Sequence, residues 1–402
     1  LQQTTYINYE ISNMEKIFDN TEVAFALKSD TELDRAYFLF KMISIEPLVK
    51  IGSAVTNFAL NLNLPVEGLI RATVFDHFCG GINVKDCLSV VDKMQTKGVS
   101  SVLDYSVEGK EDEHQFDTAM KMTLKTIDFA KERQSIPFAV FKPTGFGRFE
   151  LYEKLGEKQK LTAEEQEEWD KVVARFDLVC SEAYKNNVSL LIDGEESWMQ
   201  DAADELVTDM MRKYNKEKPI VFNTLQLYRW DRLDYLKKLH EVAKKEGFII
   251  GMKLVRGAYM EKEHARAKEK GYPTPICASK EATDANYDAA VDYMVDHLDG
   301  MSIFLGTHNE ESTYNLIDHM KSKGIDTKDE RIWLGQLYGM SDNISYNLAD
   351  HNYNIAKYLP FGPVKDVMPY LIRRAEENTS VAGQTNRELA LIKAEQKRRK
   401  KE

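Results

Sequence analysis

The sequence predicts an α/β protein, a (β/α)8 barrel with a helical arm in front of it, and three observations carry that prediction. From about residue 101 the chain alternates short apolar runs, rich in β-branched and aromatic residues, with long amphipathic stretches. Eight runs stand out, at 101–105, 138–142, 188–193, 220–224, 248–255, 302–307, 331–336 and 354–359. Strands of this length that are each followed by a helix are parallel and joined by crossovers, and eight such units close naturally into a barrel. An open doubly wound sheet is the competing arrangement, because strand count alone does not prove closure. The third observation is how the series ends. Residues 358–378, YLPFGPVKDVMPYLIRRAEEN, read as a last strand, a Gly-Pro corner and a helix at the barrel mouth. Pro363 suits the first turn of that helix, where its missing N–H would have no partner anyway.

The elements follow in order. Residues 1–95 carry no strand alternation and read as the helical arm. Ser29 or Asp30 caps a helix striped by Leu33, Ala36, Tyr37 and Phe40. Asn63-Leu64-Pro65 breaks the pattern, 65–77 resumes it, and Cys79-Gly80-Gly81 ends it. The barrel occupies 96–385. Within it Thr162 and Glu165 form a capping box ahead of an inward stripe of Trp169, Val172, Val173, Phe176 and Cys180. The helices at 231–245 and 313–323 stop at Gly247 and Gly324. Residues 386–402 are basic and helical in propensity but show no clear apolar face. They read as a tail that is solvated or meets an acidic surface or a membrane.

Composition narrows the function. A formal net charge of −11 over 402 residues argues against a nucleic-acid binder, which needs a basic face for phosphates. With 43% hydrophobic and 30% charged residues, the chain has an ordinary globular composition, and no run approaches the ~20 apolar residues of a membrane span. The opening LQQTTYINYE has neither a basic nor an apolar signal region, so no signal peptide is expected. Four scattered cysteines without C-x-x-C spacing suit a reducing compartment, and eight histidines without metal-ligand spacing suggest no metal.

In a barrel of this type the chemistry sits at the carboxyl ends of the strands. Those ends deliver Asp104, Lys142, Asp193-Gly194-Glu195-Glu196, Gln226, KLVRGAY from Lys253 to Tyr259, Thr307-His308-Asn309, QLYGM from Gln336, and Tyr358. The closing helix adds Tyr370, Arg373, Arg374 and Glu377 at spacings that share a face. Any one of these has a plain reading: Lys142 as a snorkelling strand end, Asp193-Gly194 as a turn, the arginines as a solvated edge. Together they describe a site for an anionic ligand and a large cofactor. Gly145-Phe146-Gly147 lacks the third glycine and the acidic residue of a dinucleotide fingerprint.

With DGEE, KLVRGAY, GTHN, QLYGM and YLIRRAEEN all present in order, the chain resembles the flavin-dependent proline dehydrogenase family over about residues 101–378. The resemblance implies a distorted (β/α)8 TIM-like barrel with its last helix over the mouth, and FAD bound without covalent attachment. It further implies oxidation of L-proline to Δ1-pyrroline-5-carboxylate and electron transfer to a membrane quinone. The expected location is the bacterial cytoplasm, peripheral to the inner membrane, or the mitochondrial matrix. A separate pyrroline-5-carboxylate dehydrogenase would act next. Carried over by motif, Arg373, Arg374 and Lys142 would hold the substrate carboxylate and Asp193 would orient the cluster. Tyr259, Tyr358 and Tyr370 would wall the pocket. FAD would meet Gln226, Lys253, Arg256, Gly257, Lys280, Thr307, His308, Asn309, Gln336 and Glu377. Lys253 departs from the long bifunctional bacterial members, which carry Arg there, so a cation is kept with different donor geometry. Hydroxyproline oxidation, another flavin barrel chemistry and a barrel without catalysis are the competing readings.

Overall fold

The computed structural model describes residues 16–45, 47, 49, 52, 66–107, 112–380 and 382–401, with the side chains of 69, 72 and 375–384 outside the description. Eight strands, β1 (Ser100–Tyr105), β2 (Phe138–Phe141), β3 (Ser189–Ile192), β4 (Val221–Gln226), β5 (Ile250–Val255), β6 (Met301–Gly306), β7 (Ile332–Leu337) and β8 (Ile355–Phe361), each lie within two residues of the expected runs. They form a closed parallel barrel in chain order. Closure rests on β8 pairing with β1, Val102 opposite Tyr358 and Asp104 opposite Pro360, which excludes the open sheet.

Alternation along each strand separates two layers. Val102, Phe138, Val140, Leu191, Phe222, Phe304 and Tyr358 pack inside the barrel. Their neighbours Leu103, Ala139, Leu190, Leu305 and Leu359 face the helices. The helices are α1 (Asp30–Ile43), α2 (Val84–Gln95), α3 (Glu113–Ala130), α4 (Phe149–Gly156), α5 (Ala163–Lys185), α6 (Ser197–Tyr214), α7 (Arg232–Glu246), α8 (Met260–Lys270), α9 (Lys280–Asp296), α10 (Glu310–Ser322), α11 (Asp342–Asp350), α12 (Val364–Ser380) and α13 (Ala382–Arg399). Both anticipated starts are built as capping boxes, Ser29 with Glu32 at α1 and Thr162 with Glu165 at α5. α7 ends on Gly247 at φ 69°, a conformation glycine adopts without Cβ strain.

The arm and the carboxyl-terminal helices close over one side of the barrel. α12 starts where the Pro363 carbonyl accepts the N–H groups of Asp366 and Val367. Its face of Val364, Val367, Met368, Tyr370 and Leu371 packs on Leu39 and Ile43 of α1, on Ile70, Phe75, Phe78 and Cys79, and on Met340. The arm also extends the barrel edge: Gly80 N–H donates to Pro360 O at 2.8 Å and Gly362 N–H to Gly81 O at 3.2 Å.

The carboxyl-terminal stretch differs from the solvated tail expected of it. Leu391 and Ile392 of α13 are buried against Ala24, Phe25, Leu33, Ala36 and Phe40. The basic residues clamp this contact: Arg399 donates to the carbonyls of Phe25 and Lys28 and to Asp30, and Arg387 pairs with Asp19 and Glu310. A short apolar stripe of Leu389, Leu391 and Ile392 among charges carries little periodic signal, so only its partners reveal that it is an interface.

Candidate active site

The barrel has an aromatic floor and a charged mouth. Phe138 stands edge-on to Phe222, Phe304 and Trp333 with ring centroids 5.1 to 5.7 Å apart, filling the lower interior. Two residues beyond inward-facing Val102, Val140 and Leu191 come Asp104, Lys142 and Asp193, and the strand period turns these side chains inward as well. Lys142 Nζ lies 3.8 Å from both Asp104 and Asp193. Lys253, on β5, donates to Asp193 Oδ1 and, at 2.9 Å, to the Tyr358 hydroxyl, and its ammonium lies 4.9 Å from the centre of the Tyr358 ring. Asp104 is braced by Ser106 Oγ at 2.6 Å. Burial, with the charges of Asp193 and Asp104 beside it, holds the Tyr358 phenol well above its usual range, so it stays protonated.

The expected α12 residues lie on the helix that follows β8 at this end of the barrel. The Arg374 guanidinium lies 5.2 Å from the centre of the Tyr370 ring, and Tyr370 is buried. Burial first, then the positive charges of Lys357 and Arg374, lower the His308 pKa to about 3, leaving the imidazole neutral. Arg373 is half-buried one position earlier. Glu377 lies on α12, but its side chain falls outside the described residues.

The expected cofactor residues line the ends of β4 to β7. Gln226 Nε2 donates to Glu195 O at 2.5 Å. Arg256 is fixed by Asp284, Thr307 Oγ1 and Ser312 Oγ at 2.8 to 3.0 Å, and Asp284 also holds Lys280 at 2.5 Å. Gly257 adopts φ +129° and turns over the Tyr228 ring, where a Cβ would stand 2.6 Å from ring carbons. Gln336 donates to Thr307 O at 3.0 Å and accepts from Ser345 Oγ at 2.9 Å. Asn309 caps α10 through Ser312 N–H. Tyr259 stands at the start of α8 with Lys262 above its ring.

The sequence did not single out Glu195 within DGEE as a structural hub. Its carboxyl accepts Thr144 N–H at 2.9 Å and Thr144 Oγ at 2.6 Å, tying the β2 loop that carries Lys142 to the β3 loop that carries Asp193. Burial raises its pKa to about 7. A carboxyl raised on folding favours the folded state fully below its unfolded value near 4.5 and loses that advantage as pH rises through 7, on the order of 3 kcal/mol in all. Replacing Glu195 by Gln, which stays neutral, is therefore expected to raise stability relative to the parent progressively between pH 5 and 8. Urea denaturation across that range would show a flat difference if Glu195 did not titrate there.

The proline dehydrogenase family model matches residues 87–387, which span every strand and the whole cluster just described. The chain belongs to the proline dehydrogenase family. It is 36% identical over 333 residues to a carbapenem antibiotics biosynthesis protein, CarD, of Pectobacterium carotovorum subsp. carotovorum, covering 83% of this chain and 86% of that one. It is 29% identical to the mitochondrial proline dehydrogenase 1 of Dictyostelium discoideum, covering 96% of this chain and 76% of the relative. A hydroxyproline dehydrogenase of Xenopus laevis is 30% identical, covering 93% and 88%. Among solved structures, proline utilization A from Bdellovibrio bacteriovorus superposes with a TM-score of 0.70 at 20% identity. That match covers 89% of this chain and 38% of the larger protein, and it shows a shared fold. As a proline dehydrogenase family member the protein is an oxidoreductase, and an FAD-binding fold goes with the family. The donor set suits that cofactor: Arg256 and Lys280, bridged by Asp284, stand after β5 and at the start of α9, and Lys253, Gln226, Gln336 and Thr307 are buried polar groups at the ends of β4 to β7.

Proposed function

We propose that this chain oxidises L-proline to Δ1-pyrroline-5-carboxylate on non-covalently held FAD and hands the electrons to a membrane quinone. The observation that carries the reading is the gathering of charged side chains at the mouth. Lys142 and Lys253 meet Asp104 and Asp193 there, and α12, which follows β8 at the same end of the barrel, carries Arg373 and Arg374. Ammonium and guanidinium groups suit a carboxylate ligand, the guanidinium fork by bidentate binding.

FAD, when bound, supplies the hydride acceptor. The chain's own residues bind and orient. Arg373, Arg374 and Lys142 fix the carboxylate, Tyr358 and Tyr370 enclose the ring, and the aromatic floor keeps water from below. The cationic surroundings disfavour the protonated secondary amine, so proline is held with its nitrogen lone pair available. Asp193 holds both Lys142 and Lys253 in place. Arg256, Lys280, Gln226, Thr307, His308, Gln336 and the turn at Gly257 are the residues proposed to hold the cofactor, with Asn309 shaping the loop as a helix cap.

The similarity to a hydroxyproline dehydrogenase favours a second reading, a substrate with a ring hydroxyl. Against it stands Tyr358, pinned by its bond to Lys253, which the resemblance puts where such a group would need room. Proline is accordingly the preferred substrate, and kcat/KM for the two compounds separates the readings. The deciding experiment is the visible spectrum of the purified protein, recorded without oxygen before and after adding L-proline. A flavin band that bleaches supports cofactor and substrate together. A flavin that bleaches only with 4-hydroxyproline moves the assignment to the second reading, and a protein that takes up no FAD removes both.

A further inference from the structure

His308 is held by the protein at both ring nitrogens. The Leu337 N–H points at Nε2 from 3.4 Å, which leaves the ring proton on Nδ1, facing Ser341 Oγ at 2.9 Å. The turn that supplies both partners, 337–342, is not relaxed. Gly339 has φ +80°, and Ser341 has φ 49° and ψ 45°, a left-handed conformation that a serine adopts only when its surroundings impose it. The surroundings that impose it lie far away in sequence. Ser341 N–H donates to Glu388 of α13, whose carboxyl is buried. The Ser341 carbonyl starts α11 by accepting from Ile344 and Ser345. Next to it the Asp342 carboxylate takes Lys28 of the arm at 3.1 Å and Lys357 of β8 at 2.9 Å. His77 of the arm bonds Gly339 O at 2.9 Å.

We infer that Ser341 and Glu388 are positioning residues for the cofactor side of the site: Glu388 fixes the Ser341 backbone, and Ser341 Oγ fixes the tautomer and plane of His308. The inference rests on the reading that His308 borders the cofactor. From the barrel, Lys357 of β8 holds the turn at Met340 O and Asp342, and the strained serine itself is held because α13 closes on its N–H. The carboxyl-terminal helix is thus a part of the site at one remove, although none of its side chains described here stands at the barrel mouth.

Three variants test this against a merely structural role. Ser341→Ala removes the hydroxyl, Ser341→Gly removes it while relieving the left-handed backbone, and Glu388→Gln keeps an oxygen for the Ser341 N–H where Glu388→Ala does not. Positioning predicts that Ser341→Ala and Ser341→Gly both weaken FAD binding about tenfold, the loss of one buried hydrogen bond, with KM for proline unchanged. It also predicts that Glu388→Gln stays close to the parent, while Glu388→Ala matches the serine variants and the Ser341→Ala/Glu388→Ala pair falls no further. FAD titration by flavin fluorescence, with proline kinetics on the saturated enzyme, gives both readouts. If Ser341→Gly bound FAD like the parent, relief of backbone strain would be all that the position feels, and the inference would be overturned. Additive losses in the double variant would overturn it equally. A parent protein that bound no FAD would instead sink the proposed function.

Discussion

Replacing Arg374 by methionine is expected to leave a folded protein that keeps its flavin and loses proline saturation. The guanidinium is partly buried over the Tyr370 ring, and Val364, Val367, Met368 and Leu371 make the rest of the α12 face that packs on the arm, so a methionine, which keeps an apolar stem there, preserves that packing. What it removes is a fork-shaped donor set on the helix that follows β8, at the barrel end where Lys253 and Lys142 both lean on Asp193. Losing one charge-assisted bidentate contact to a buried carboxylate costs roughly 3–4 kcal/mol, or about 100- to 1,000-fold in kcat/KM, expressed mainly in KM. Arg374→Lys keeps the charge without the fork and should recover only part of the loss. A KM for proline at the parent value in Arg374→Met would mean that the carboxylate is bound elsewhere. The His308 environment provides an independent readout, because one of the two charges that hold its pKa near 3 would be gone.

This side of the site could be read from the chain because strand period and barrel topology do most of the placing. Once Val102, Val140 and Leu191 are known to point inward, Asp104, Lys142 and Asp193 follow by counting two. The same rule explains what stayed hidden. Lys357 lies in an apolar run one position before Tyr358, so its side chain leaves the barrel and meets Asp342 in the helix layer, and nothing local announces that partner. A lysine at an outward position inside an otherwise apolar strand is the one available hint. Glu388 and Lys28 are harder still, since each contacts the β7 turn from an opposite end of the chain and each reads locally as an ordinary helix charge. Asn309 shows the converse: its place in GTHN suggests cofactor contact, and the structure gives its side chain the ordinary task of capping α10.

The largest effect on stability is expected at Asp342. Lys357 is fully buried, and its ammonium is satisfied by the Met340 carbonyl at 2.7 Å and by Asp342 at 2.9 Å. Burial dominates at Lys357 and lowers its pKa. At Lys28, burial is outweighed by Asp342 and the pKa is raised. Burial likewise opposes ionisation of Asp342, but two ammoniums outweigh it and hold the acid well below the carboxylate range. One carboxylate thus contacts two cations, and removing the acid is not equivalent to removing one lysine. Asp342→Asn removes the one carboxylate that both ammoniums contact, leaving only the more distant Glu388 and Glu32 to oppose them, and is expected to cost about 3–5 kcal/mol, whereas Lys357→Met leaves Asp342 paired with Lys28 and should cost clearly less. The pH dependence has a definite sign. A carboxyl depressed on folding contributes above its unfolded value near 3.8 and loses that contribution as pH falls, so the parent should weaken below about pH 4 more steeply than Asp342→Asn. Urea denaturation of the three proteins at pH 7 and in acid measures both claims. Equal midpoints for Asp342→Asn and Lys357→Met would mean that the carboxylate does not carry the pair. Because the same carboxylate secures the turn beneath His308, loss of FAD in Asp342→Asn should precede global unfolding as urea is raised.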